Sequence, residues 1–331
     1  MSVEAMKPVF EETAPRKRRS GLETMLGLFL PAVLILLMAF FTWKSPNSAF
    51  ISPSNLITIL TQNAYVFVLT IPLAMLVMSG GIDLSIGSVM ALSACVGGLA
   101  WQNGNVWLGF VVGLGTGLLM GVINGGLVSW LGLNPIVVTL GTLAIARGIA
   151  QLMSTNPIFD FPPAIDGFGN GSVLWIANQI WFAIIVVLIG MAALNRFPYG
   201  RHLVAIGVNE RAAFLAGLPV KRIKFSLYLA VGLGAAVAGL MLASRINSAP
   251  GGTMGVGIEL ICLTAVLLGG VPFTGGYGAI WRVVVGVLIL AVLQNGTVMM
   301  NVSSDASKIL FGSVLLVAAL LELVRQRMFK G

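Results

Sequence analysis

Apolar runs of membrane-spanning length follow one another along most of this sequence, and they leave little choice of fold. A helix needs about 20 apolar residues to cross a hydrocarbon core about 30 Å thick, and every backbone group inside that core must find a hydrogen bond within the protein. Ten runs fit the pattern: 22–43, 55–79, 84–101, 106–131, 135–153, 179–194, 225–243, 258–268, 278–300 and 308–324. The eighth is too short to span alone and reads as part of a broken helix. Charged residues make up only 9% of the chain, against about 25% in a soluble domain. The expectation is an all-α polytopic membrane protein of about ten transmembrane helices, with a basic tail over 1–20 and one transmembrane domain over 21–331.

Positive charge orients the set. Lys7, Arg16, Lys17, Arg18 and Arg19 precede the first run. Arg196, Arg201, Arg211, Lys221, Arg222 and Lys224 lie between the sixth and seventh, and Arg325, Arg327 and Lys330 follow the tenth. With ten crossings all of these fall on one side, which the positive-inside rule makes cytoplasmic, together with both termini. The opposite joint, 154–178, holds Asp160 and Asp166 and no Lys or Arg. The net charge of +8 therefore speaks of topology and of anionic lipid headgroups, and a nucleic-acid partner is not expected. The first run is longer than a signal-peptide core and lacks a small-residue cleavage site, so it reads as a retained helix.

The inventory of reactive groups excludes most enzymes. There is one histidine, His202; there is no Gly-Lys-Ser/Thr phosphate loop, no His-Glu-x-x-His and no close pair of carboxylates within a run. Cys95 and Cys262 each lie inside a run and read as packing residues, and no metal site or bound cofactor is expected. The glycine clusters "GLGTG" at Gly113 and "GFGNG" at Gly167 follow no strand, and so read as helix packing and a flexible loop. Any ATP used would be bound, with magnesium, by another chain.

One stretch breaks the apolar pattern. In "MSGGIDLSIGS", Met78 to Ser88, two glycines end a helix and Asp83 can accept from the free N–H groups of the next one. It reads either as a cap at the cytoplasmic face or as a break beside a transport path. A later Asn-Gly (Asn124-Gly125) closes the fourth run, and the second half repeats the order of Gly-Gly break, glycine-rich segment and Asn-Gly (Asn295-Gly296, in the ninth run). An offset of five spans reverses direction across the membrane, so the expected architecture is an inverted 5+5 repeat with interrupted helices.

Four ordered stretches carry a family resemblance: "SGGIDLSIGS" (79–88), "NPIVVTLGTLAIARG" (134–148), "GRHLVAIGVNERAAFLAG" (200–217) and "AVLLGGVPFTGGYG" (265–278). The chain resembles the permease subunits of ribose-type bacterial ATP-binding-cassette sugar importers. The resemblance implies a second permease subunit, identical or different, a cytoplasmic ATPase that carries ATP and magnesium, a periplasmic sugar-binding protein, and residence in the bacterial inner membrane. Within the longest cytoplasmic joint, Asn209 reads as a helix cap, Glu210 as a first-turn acid, Ala213, Phe214 and Gly217 as a helical face, and Pro219 as a stop. This coupling helix, near 209–218, is expected to seat in the ATPase, with an interfacial helix lying on lipid as the plain reading.

For the path itself, Asn63, Ser79, Asp83, Ser85, Ser88, Thr139 and Thr142 are candidates, each of which would serve equally well to satisfy helix backbone. Arg147 lies far enough into its run to need a partner, water or an outward reach. Arg245 and Glu259 bracket a glycine-rich segment on the external side, which reads as re-entrant or as a contact for the binding protein, with an ordinary loop and a mutual salt bridge as the plain reading. Trp281 and Arg282 stand where the resembling permeases usually carry small residues. The other function considered is an ion-coupled secondary transporter, for which only Asp83 and Glu259 supply carboxylates within or beside the runs.

Overall fold

The computed structural model describes residues 19–330, with side chains from Leu28 to Leu320 apart from Ser304. The basic tail up to Arg18 lies outside the described residues, as do the side chains of Arg325, Arg327 and Lys330. The described residues form thirteen α-helices. The first five are α1 (Arg19–Lys44), α2 (Pro53–Met78), α3 (Ile86–Gln102), α4 (Val106–Gly125), which runs on through a wide turn to Trp130, and α5 (Pro135–Met153). Next come α6 (Pro163–Asn170), the strands β1 (Ser172–Val173) and β2 (Ile176–Ala177), α7 (Asn178–Asn195), α8 (Pro198–Val208) and α9 (Glu210–Leu215). The chain closes with α10 (Val220–Ile246), α11 (Ile258–Leu268), α12 (Ile280–Met299) and α13 (Ser304–Lys330).

Each of the ten apolar runs falls on one helix: α1 to α5, α7 and α10 to α13. Six of these, α2, α4, α5, α7, α10 and α12, are long and apolar enough to cross a membrane. α3 and α11 are apolar and shorter, because each begins late, after a break in the chain. Sequence reading did not separate out α6, α8 or the small antiparallel hairpin, whose residues lie in joints without apolar periodicity. Several helix starts follow local chemistry. Proline opens α2, α5, α6 and α8, where its missing N–H costs nothing, and the side chains of Ser52 and Asn134 cap α2 and α5 by accepting from Asn55 N–H and Ile136 N–H.

α2 and α10 pack on each other at the centre. Every residue of α2 from Val66 to Met78 is buried, which is why this helix shows no amphipathic stripe. α10 also lies along α3 and α4. Its crossing with α4 rests on glycine: Gly109, Gly113, Gly117, Gly121 and Gly125 recur every fourth residue and all are buried, the last four against α10 and Gly109 against Trp101 and Gly97 of α3. A Cβ on Gly117 would lie 2.3 Å from the carbonyl oxygen of Gly232, one on Gly232 would lie 2.3 Å from that of Gly117, and one on Gly121 2.7 Å from that of Tyr228. Close backbone approach of this kind gains dispersion contacts where lipid removes the hydrophobic drive for association. The "GLGTG" cluster is therefore packing, with Gly115 alone turned to open space.

Two breaks give the fold its interior. The first, between α2 and α3, holds Asp83. The second, 247–257, leads from the end of α10 to α11 and folds inward until Gly255 touches Gly87 on the first turn of α3, where a Cβ on Gly87 would meet the Gly255 carbonyl at 2.2 Å. Arg147 secures this second break from α5, its Nη1 donating to the carbonyls of Gly251 (3.0 Å) and Met254 (2.6 Å). Arg245 donates to Thr61 O at 3.2 Å. The mutual Arg245–Glu259 salt bridge of the plain-loop reading is not formed among the described residues; the segment folds inward, as a re-entrant one does, and Glu259 lies against Gly87. Arg282 accommodates its unusual position by donating to the Tyr277 hydroxyl at 2.6 Å and lying over the rings of Tyr277 and Trp281. The close packing near the start of α12 is made instead by Gly269 against Val283 and Gly286 against Ala265.

The α4–α10 crossing yields a direct test. Gly117→Val should lower the thermal unfolding midpoint of the detergent-solubilised protein or prevent its accumulation, at a cost of about 1–3 kcal/mol for overpacking. Gly115→Val should stay close to the parent. Equal effects of the two substitutions would refute the crossing.

Candidate functional site

The first break is built to bury a carboxylate. α2 ends where Ser79 Oγ–H donates to Leu76 O at 2.7 Å and Gly80 turns the chain with φ +79°, a conformation that favours glycine. The chain then runs to Asp83, which is 2% exposed. Its Oδ1 accepts from Ser85 N–H at 2.8 Å and Ser85 Oγ–H at 2.6 Å, and its Oδ2 accepts from Asn124 Nδ2 at 3.2 Å. Asn124 Nδ2 also donates to Ser85 Oγ at 2.9 Å, and the Tyr228 hydroxyl donates to Ile82 O at 3.1 Å. Among the described residues no cation lies within ion-pair distance of Asp83. The space bounded by Asp83, Ser85, Met120, Asn124, Val231 and Gly232 has no room for a water molecule.

Asp83 thus acts earlier than a cap of α3. That helix starts at Ile86 with Ser85 as its cap residue, and the short aspartate side chain reaches only two residues along the chain, to Ser85 itself. Of the other expected path residues, Asn63 donates to Ile59 O, Thr139 to Pro135 O and Thr142 to Thr139 O, each within its own helix. Ser79 closes α2, and Ser88 is buried three residues into α3. The structure gathers only Asp83 and Ser85 from that set. It adds Asn124 and Tyr228, which the sequence reading did not place at a site. Asn124 was visible as a lone amide at the end of an apolar run; Tyr228 had no signal.

The second part of the site is the α8–α9 segment. Asn209 caps α9 by accepting from Ala212 N–H at 2.9 Å, and Glu210 pairs with Lys224 on α10. Gly217 terminates the turn with φ +83°, its N–H donating to Phe214 O at 2.9 Å while Leu218 N–H donates to Ala213 O at 3.1 Å, the paired bonds of a glycine-closed helix end. Ala213 points inward, 6% exposed, whereas Phe214 (64%) and Leu215 (77%) project outward. The exposed apolar pair is therefore Phe214 with Leu215; Ala213 and Gly217 shape the turn.

Glycine joins the two parts. Just before α9, Gly207 lies against the end of α2, where a Cβ would sit 2.0 Å from Met78 O and 2.3 Å from Gly276 N. Gly276 N–H donates to Met78 O at 2.8 Å, and a Cβ on Gly275 would lie 2.7 Å from Gly80 N and 3.1 Å from Gly207 Cα. Three stretches far apart in sequence, around Gly80, Gly207 and Gly275-Gly276, meet backbone to backbone three residues before α9.

Residues 55–319 match the family described as branched-chain amino acid transport system / permease component. The chain belongs to this family. It is 34% identical to the ribose import permease protein of Bacillus subtilis over 90% of this chain and 91% of that one. It is 32% identical to the L-arabinose transporter permease protein of Azospirillum brasilense (95% and 92% covered) and 31% identical to the D-allose transport system permease protein of Escherichia coli (88% and 89%). No solved structure matches the chain. The resemblance read from the four stretches is thereby borne out, and three of those stretches are the ones that converge at the glycine contacts of this permease.

Asp83→Leu should leave Ser85 and Asn124 without their acceptor, costing about 1–3 kcal/mol per orphaned group, and should abolish transport. Asp83→Asn keeps an oxygen for Ser85 N–H, and Asn124 can turn its amide so that its carbonyl oxygen, now without a partner, accepts from the new one. That variant should retain a substantial fraction of transport in the reconstituted complex; an inactive Asn variant in a stably folded permease would contradict this account.

Proposed function

We propose that this permease is the membrane subunit of an ATP-binding-cassette importer that moves a monosaccharide or related small polyol across the bacterial inner membrane. A periplasmic sugar-binding protein would deliver the cargo, and a cytoplasmic ATPase, acting on a dimer of permease subunits, would drive the cycle. The chain carries out no chemistry on the sugar. What supports the substrate class is the relatives, which are named as permeases for ribose, L-arabinose and D-allose.

The ten apolar runs support ten crossings, and the charge distribution then supports both termini being cytoplasmic. The internal symmetry has support in the order of elements: α2, a break, α3, α4 and α5 parallel α10, a break, α11, α12 and α13. Packing follows the same exchange, since α3 and α4 lie on α10 while α11 and α12 lie on α2, and α5 lies on α3 while α13 lies on α11. In this reading the two breaks enter from opposite faces and meet at Gly87 and Gly255. The asparagines differ in duty: Asn124 holds the first break, whereas Asn295 exchanges two hydrogen bonds with Asn55 at the start of α2, at 3.0 and 3.1 Å.

The observation that carries the coupling role is a row on α10. Lys224, Tyr228 and Gly232, spaced by four, hold Glu210 of α9, Ile82 beside Asp83, and Gly117 of α4 in turn. Phe214 and Leu215 offer an apolar pair for a groove on the ATPase, beside a cleft of about 300 Å³ between the 126–130 turn and Lys221. Motion of α9 then passes to the first break through α10 and through the Gly207 contact.

In proteoliposomes with the ATPase and binding protein, Phe214→Asp should retain membrane insertion and reduce ATP-driven sugar uptake at least about tenfold, as a charge entering an apolar groove would. Undiminished uptake would remove the coupling role. A cysteine at Arg211 should label only from the cytoplasm and one at Trp175, 95% exposed on the hairpin, only from outside. Labelling of both from one side would rule out the ten-span arrangement.

A further inference from the structure

We propose that Arg147 and Glu259 contact the transported sugar, from the wall of a water-filled path along the uncovered face of α5 and the start of α11; this rests on the sugar-importer reading above. Both charges sit deep in the span. Arg147 follows Pro135 by twelve residues, about 18 Å along α5 at about 1.5 Å per residue. Glu259 is the second residue of α11, whose eleven residues run about 16 Å toward the 269–279 joint. Each is partly exposed, and neither forms an ion pair among the described residues. A charge left partly open at such depth does not face acyl chains; it faces protein or water.

The surroundings fit a path. Gly252 and Thr253 of the second break, which lie between the Arg147 acceptors Gly251 and Met254, are accessible, as are Gly141 and Gly148 of α5, where a Cβ would meet nothing within 4 Å. Small residues leave room there for a ligand the size of a monosaccharide.

The chemistry fits a polyol. The two hydrogen bonds from Arg147 Nη1 to Gly251 O and Met254 O hold the guanidinium in place, while its Nε and Nη2 hydrogens donate to no protein group among the described residues. The Glu259 carboxylate lies against Gly87, its Oε2 2.7 Å from where a Cβ would be. There the first turns of α3 and of α11 both favour negative charge. A fixed donor fork and a fixed acceptor pair, together neutral, match adjacent sugar hydroxyls, each of which both donates and accepts. The geometry also gives Gly87 a reason to be glycine, since any side chain would displace Glu259.

The test uses the complete importer, permease with ATPase and binding protein, in proteoliposomes. Cysteines at Thr253 and Gly148 should react with a charged methanethiosulfonate reagent at least about tenfold faster than one at Leu188, which is exposed on α7, as expected for wet against lipid-facing positions. Reaction as slow as at Leu188 would overturn the wet path. At high millimolar concentration, D-ribose, L-arabinose or D-allose should protect the Thr253 cysteine several-fold; Glu259→Gln should abolish that protection without changing the rate measured in the absence of sugar, and Arg147→Lys should abolish it too. Protection that survives both substitutions, or no protection by a sugar the importer transports, would overturn the contact. An importer that moves none of the three sugars contradicts the importer reading and the sugar contact with it, while the labelling rates still report whether the face is wet.

Discussion

A chain in hydrocarbon that interrupts its own helices must satisfy the freed backbone groups from within, because the solvent offers no partner. That constraint organises this permease. Where α2 stops, Met78 O accepts from Gly276 N–H, the Ser79 and Gly81 donors turn back to Leu76 O, and Asp83 takes up the N–H of Ser85. Where α10 stops, Asn247 adopts a left-handed conformation, its side chain accepts from Phe161 N–H, and Arg147 covers the carbonyls of Gly251 and Met254. Glycine recurs at these places because only a backbone without Cβ lets another backbone come near enough to serve.

The same contacts make the molecule mechanically continuous. Side chains at an interface can change rotamer and absorb a displacement, whereas two backbones in van der Waals contact cannot. Gly207 against Met78 and Gly276 is such a contact, and so are Gly117 against Gly232 and Gly87 against Gly255. A shift of α9 therefore reaches both breaks through packed backbone.

Much of this was legible in the chain. The apolar runs located ten helices because length and hydropathy decide what can enter a bilayer, and "MSGGIDLSIGS" announced a break because Gly-Gly and Asp have no other use inside such a run. "NERAAFLAG" announced a capped turn closed by glycine. Legibility ended where function depends on contacts between distant segments. Nothing local shows that Gly207, Gly80 and Gly275 share a point, or that Asn124 completes the Asp83 cluster. Thr139 and Thr142 had the residue type of path-lining groups, yet both bond their own helix. Ala213 fitted the helical face expected to meet the ATPase, yet faces inward, because a single turn buries one side to hold itself in place.

The central claim is that α9 and the first break move as one body. Hydrogen exchange on the assembled importer, compared between the nucleotide-free and the ATP-trapped complex, measures this most directly. The account predicts that segments 207–217, 78–85 and 274–278 change protection together in the trapped state, with 220–232 of α10 remaining protected throughout. A change confined to 207–217, with 78–85 and 274–278 exchanging at the same rates in both states, would contradict it.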